Sequence, residues 1–204
     1  MSAPPPTALE QERLATRELK HRTKNILSIV QSLVKHTLQD GVDLAEARDA
    51  LDRRLGAMGR GIDLLLKVDW TATDLDTLAH ASLSHREGFG TRVRIGGPSV
   101  EIGANAALTL AMTLHELESN AIKYGALARE NGRVALSWTV ADDRLTFEWR
   151  ESGCGPTPKP AHKGFGTKLI CDVPARRFNG RARLDWGDDG VVWTLETGLD
   201  RVAR

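Results

Sequence analysis

Leu44, Leu51, Met58 and Leu65 stand seven residues apart, interleaved with Ala47, Leu55 and Ile62, and this repeat narrows the possible folds more than any other feature of the chain. An apolar repeat of seven belongs to a helix that packs on another helix along a narrow seam. Just before it, Ile26, Leu27, Val30, Leu33, Val34 and Leu38 also recur at helical spacing, within a predicted helix from about Thr7 to Gln39. The turn dipeptide Asp40-Gly41 separates the two segments, which predicts a helical hairpin. Two helices alone bury too little apolar surface, so the hairpin is expected to complete a four-helix bundle with a second copy, giving a homodimer.

The heptad pattern stops around Asp69-Trp70-Thr71-Ala72-Thr73. A domain boundary is expected there, with residues 1–70 forming the hairpin and residues 74–204 a second domain. The second segment reads as a helix to about Glu87, strands at 91–95 and 99–102, and a helix from about Ala104 to Arg129. Strands at 132–140 and 144–150 follow, then a glycine and proline loop, a helix at about 165–178 and a hairpin at 181–186 and 191–197. The expected fold class is α+β, a long helical hairpin followed by an α/β sandwich.

Of the 204 residues, 41% are hydrophobic, enough for one large or two small cores. The net charge of +1, with acidic and basic residues interspersed, gives no reason to expect a nucleic-acid partner or an anionic membrane surface. Cys154 and Cys171 show neither metal-ligand spacing nor a disulfide framework, which suits a reducing compartment. No apolar run approaches the roughly 20 residues that span a bilayer, and the start Met1-Ser2-Ala3-Pro4 lacks the pattern of a signal peptide. The chain is therefore read as cytoplasmic.

Four stretches carry possible chemistry. In Arg17-Glu18-Leu19-Lys20-His21-Arg22-Thr23-Lys24-Asn25, His21 projects roughly opposite the apolar stripe of its helix. A presented imidazole that is neutral at cellular pH, beside Glu18, can accept a phosphoryl group, although a lone histidine is more often an ordinary surface residue. In the central helix, Glu116, Asn120 and Lys123 fall at i, i+4 and i+7 on one face, beside a face of Leu110, Leu114, Leu117 and Ala121. A carboxylate, an amide oxygen and an ammonium together can polarise a nucleophile, hold magnesium and neutralise phosphate charge, or can simply be a solvated face. In Trp149-Arg150-Glu151-Ser152-Gly153-Cys154-Gly155, the glycines let the backbone pass close to a ligand. Finally, Gly164-Phe165-Gly166-Thr167-Lys168 opens a helix, whose first amides suit a triphosphate.

Taken in this order, the stretches resemble a sensor histidine kinase core of the HWE type: a dimerisation and histidine-phosphotransfer hairpin followed by a catalytic ATP-binding domain of the Bergerat class. His21-Arg22-Thr23-Lys24-Asn25 meets the family's phosphoacceptor motif, and His115, Trp149 and Glu151 match its three naming residues. The resemblance implies that Glu116 assists phosphoryl transfer to His21, that Asn120 ligates Mg2+, and that Lys123 and Tyr124 line the ATP pocket. It implies further that Glu151 reads adenine, and that Gly153, Gly155, Gly164 and Gly166, with Phe165 and Thr167, shape the lid and phosphate loop. Glu118 and Cys154 depart from the family pattern.

The implied activity is ATP-dependent autophosphorylation on His21 followed by transfer to an aspartate of a response regulator receiver domain. Sensory input would come from another protein or from a region outside these residues. A competing reading is a phosphotransfer or phosphatase adaptor whose catalytic domain no longer binds ATP; intact Asn120 and both glycine pairs argue against it. A serine kinase of the anti-sigma type fits poorly, since such proteins lack the His21 hairpin.

Overall fold

A computed structural model describes residues 8–38, 43–66, 70, 72–83, 91–156 and 165–203. Two compact units divide inside the second helix, residues up to Asp52 in one and Arg53 onward in the other. That division differs from the expected boundary at the 70–74 loop.

The first unit holds α1 (Ala8–Thr37) and the start of α2 (Leu44–Leu66). Leu33, Thr37 and Ala47 are buried, while Leu27, Val34, Leu38 and Leu44 remain exposed. Further along α2 the heptad positions change character, since Met58 and Leu65 are 3% and 0% exposed. Both lie in the second unit. Gly61 explains the close approach there, because a side chain at that position would meet Leu108 and Ala111 at 3.3 and 3.4 Å. The expectation that this whole seam awaits a second copy therefore fails at Met58 and Leu65, which the chain covers itself.

The second unit is built on a five-stranded sheet of β2 (Val93–Gly96), β4 (Arg133–Ala141), β5 (Arg144–Ser152), β6 (Arg181–Trp186) and β7 (Val191–Gly198), in the order β2-β4-β5-β7-β6. β2 runs parallel to β4 and the other neighbours are antiparallel. Two short strands, β1 (Ala72–Asp74) and β3 (Glu101–Gly103), pair separately. Strand alternation places Leu136, Trp138, Leu145, Phe147, Trp149, Trp193 and Leu195 in the core, and polar residues such as Ser137 and Arg183 face outward. Phe147 meets Trp193 edge to face, with centroids 6.0 Å apart, and lies 5.7 Å from Trp138. The helix α4 (Ala104–Lys123) packs against α3 (Leu75–Leu83) and α6 (Val173–Arg177), and is apolar on most sides.

Two helices differ from their sequence reading, each for a local reason. The segment expected to run to Arg129 ends at Lys123 and continues as a 3-10 turn at Ala126–Ala128. Instead of continuing the helical ladder, the Ala126 N–H donates to Glu151 Oε2 at 2.7 Å. Gly125 makes this possible, since any Cβ there would collide with the Glu151 carboxylate. Gly125→Ala is accordingly expected to dislodge Glu151 and cost about 1–3 kcal/mol, lowering the melting temperature by several degrees in calorimetry.

The helix expected at 165–178 is α5 (Phe165–Thr167), a π-helical turn at Lys168–Asp172, and α6. Pro174 has no N–H to give to Ile170, four residues back. The freed Ile170 carbonyl accepts from Trp193 Nε1 at 2.7 Å, which fastens the broken helix to β7.

Candidate active site

Glu116, Asn120 and Gly166 come together in the second unit. Glu116 is buried and Asn120 half-buried on α4. A Cβ placed on Gly166 would stand 3.3 Å from Glu116 Oε2 and 3.9 Å from Asn120 Nδ2. Glycine thus lets the start of the α5 segment lie directly against the polar face of α4. Thr167 follows and is half-buried, whereas Lys123 and Tyr124, at the end of α4, are exposed.

Glu116 has a partner that sequence reasoning missed. Arg54 of α2 donates from Nε to Oε1 at 2.8 Å and from Nη2 to Oε2 at 3.1 Å. These are the two prongs of a bidentate ion pair, with side chains only 12% and 9% exposed.

His115 lies beside it, in a small pocket lined by Ala57, Gly61, Leu78 and Ala111. Its Nδ1 is 3.5 Å from Arg60 Nη2, while Nε2 is buried without a hydrogen-bond partner. Burial pushes the imidazole down from 6.5 to about 4; the Glu116 charge opposes this, and Arg60, Arg53 and Arg54 reinforce it. The folded state thus binds fewer protons than the unfolded chain between those values, so the contribution of neutral His115 is complete above pH 6.5 and lost as pH falls toward 4. The melting temperature is expected to fall through that window by the equivalent of ~3 kcal/mol. In His115→Gln, which cannot titrate, most of that slope should vanish.

At the end of β5, Glu151 is buried and both its oxygens are engaged, Oε2 by Ala126 N–H and Oε1 by Trp149 Nε1 at 3.2 Å. Burial raises its carboxyl above the ordinary value of 4.5, partly offset by the hydrogen bonds from Ala126 and Trp149. Each oxygen retains a lone pair beyond the one used within the protein. Beyond it, Gly153 and Gly155 have φ of 73° and 70°, which favour glycine. Asp189, in the turn between β6 and β7, holds this loop by accepting from Gly153 N–H at 3.0 Å and, through its carbonyl, from Cys154 Sγ at 3.3 Å.

His21 lies on α1, in the first unit; its side chain, that of Phe165, and Gly164 with the 157–164 segment lie outside the described residues. Arg54 and Asp189 carried no recognisable motif, because each acts through a contact distant in sequence. Among the described residues no group of three or more His, Cys, Asp or Glu side chains is arranged to hold a metal. A magnesium ion would fit here only as a hard cation shared by the Asn120 amide oxygen, phosphate oxygens and water, since asparagine supplies one neutral oxygen ligand; the Asn120 atom nearest Gly166 is Nδ2. Among the same residues no helix is long and apolar enough to cross a membrane.

Residues 18–99 match the family model for HWE histidine kinase. Over that stretch the chain is similar to the HWE histidine kinases. It is 34% identical over 184 residues to the blue-light-activated histidine kinase of Brucella anthropi, covering 88% of this chain and 38% of that protein. The corresponding Brucella ovis protein is 29% identical over the same span. This chain therefore spans under two-fifths of the length of these relatives. Its fold is that of the histidine kinase domain of a blue-light-activated histidine kinase from Erythrobacter litoralis, with a TM-score of 0.62 at 15% identity, covering 86% of this chain and 94% of that domain. Of the three residues that name the HWE family, Trp149 and Glu151 bond to each other in the core and His115 meets Arg60.

Proposed function

We propose that this chain is the kinase core of a two-component system: it phosphorylates His21 from ATP and passes the phosphoryl group to an aspartate of a response regulator receiver domain. The observation that carries this reading is the contact of Gly166 with both Glu116 and Asn120, because it assembles a carboxylate, an amide and helix-opening N–H groups at one point. In functional terms, residues 1–70 present the phosphoacceptor and residues 74–204 bind nucleotide.

Mg2+, when bound, neutralises charge on the transferring phosphoryl group. Asn120 would hold it from the protein side, and the N–H groups of Gly166 and Thr167 would bind the triphosphate, a role the resemblance also gives to Gly164 and Phe165. Lys123 adds positive charge at the mouth, Tyr124 flanks the base, and the spare lone pairs of Glu151 accept the adenine amino group. Gly153 and Gly155 shape the wall opposite. Glu116 accepts the imidazole N–H of His21, which raises the nucleophilicity of the other ring nitrogen, and movement of the first unit brings His21 into line. The exposed stripe Leu27, Val34 and Leu38 supports a homodimer through the first unit. Sensory input reaches the core from another protein or region, and the protein works in the cytoplasm.

Mixing the labelled chain with a purified receiver domain tests the transfer. The expected result is passage of label to the receiver on an aspartyl acyl phosphate, which base and hydroxylamine cleave, whereas the bond to His21 is stable in base. Label that stays on the kinase with every cognate receiver offered would contradict the reading.

A further inference from the structure

The carboxylate assigned to the chemistry is held by a residue from outside the catalytic segment. Glu116 Oε2 lies near Gly166, and the guanidinium of Arg54 takes both carboxylate oxygens with its two prongs. Two parallel N–H···O bonds fix the plane of a carboxylate, which a single point charge does not do. The plane set by Arg54 therefore decides which lone pairs of Glu116 remain for an incoming imidazole.

Docking of α2 on α4 does not need this ion pair. The close approach of Gly61 to Leu108 and Ala111, and the shared pocket lined by Ala57, Gly61 and Ala111, already fasten the two helices. A buried ion pair is, besides, a weak source of net stability, since desolvation offsets most of the attraction.

We propose that Arg54 is a positioning residue for Glu116: α2, the helix that continues from the phosphoacceptor hairpin, holds the carboxylate in the orientation that accepts the His21 imidazole, so α4 is competent only while α2 is docked on it. This rests on the kinase reading above. It also gives the hairpin a direct route to the chemistry, because any shift of α2 reaches Glu116 through two hydrogen bonds.

The experiment measures initial self-labelling rates of the full chain against ATP concentration for wild type, R54Q, R54K, E116Q and R54Q/E116Q, with melting temperatures for each. R54Q should lower kcat by about tenfold or more while the KM for ATP stays within about twofold, since orientation rather than nucleotide binding is lost. R54K, which keeps the charge without the fork, should fall between R54Q and wild type. The double variant should be no slower than E116Q, because a residue that acts only through Glu116 has nothing left to position. Should R54Q fail to fold, R54K decides, as it leaves no buried carboxylate unpaired.

Wild-type or faster labelling by R54Q or R54K overturns the proposal. So does a double variant in which the two losses multiply. If E116Q is slow and R54Q is not, only the role of Arg54 falls; if E116Q labels like wild type, or the wild-type chain does not label at all, the kinase reading falls and takes this proposal with it.

Discussion

His21→Ala should abolish self-labelling from γ-labelled ATP and leave magnesium-ATP affinity within about twofold of wild type. The two effects separate because His21 belongs to the unit that ends at Asp52, whereas Glu116, Asn120 and Gly166 belong to the unit that begins at Arg53. Alanine offers no nucleophile, so the expected loss is total rather than partial. Self-labelling is measured by retention of radiolabel on the protein and affinity by calorimetry. Persistent acid-labile label in the variant would move the acceptor to His36, also on α1, which lacks the Arg-x-Lys-Asn sequence that follows His21.

Asn120→Asp should remove magnesium-dependent ATP binding, with affinity falling at least about tenfold, equivalent to ~1.4 kcal/mol. The substitution changes the ligand set of a hard cation and adds negative charge beside the triphosphate. It also puts a second carboxylate one helical turn from Glu116, where like charges repel. Titration calorimetry with and without magnesium checks this, and unchanged magnesium-ATP affinity would move the metal site away from Asn120.

The sequence was most legible where one pattern ran long enough to outweigh alternatives. β5 and β6 alternate cleanly, β4 and β7 over most of their length, and the expected limits of all four fall within two residues of those observed. The helical stripes of α1 and α2 were equally plain. β1 escaped notice because three residues carry no periodicity, and its pairing with β3 is a long-range event. Helix ends were misjudged where tertiary contacts capture a backbone group, as Glu151 captures Ala126 and Trp193 captures Ile170. The heptads of α2 announced a packed helix and said nothing of what it packs on, so Met58 and Leu65 were assigned to a partner chain that they do not await.

For the site, chemistry written into adjacent residues was readable and chemistry assembled across the fold was not. Glu116 and Asn120 stand one turn apart on α4, and the glycines that flank Phe165 and Cys154 announce themselves. Arg54 is 62 residues from Glu116, and in the sequence it is one of many charges on an amphipathic helix. The sequence reads Glu151 as a ligand-facing carboxylate; its two protein hydrogen bonds tie the turn that follows α4 to β5.

On the kinase reading proposed above, the chain transfers the γ-phosphoryl group of ATP to a histidine. The most direct test is to incubate purified protein with γ-labelled ATP and magnesium, remove nucleotide, and follow the label in acid and in base. A phosphorus–nitrogen bond at His21 predicts label on the protein that is lost in acid and stable in base. Absence of label on well-folded protein that binds magnesium-ATP, or label that survives acid as a phosphoserine would, contradicts the account.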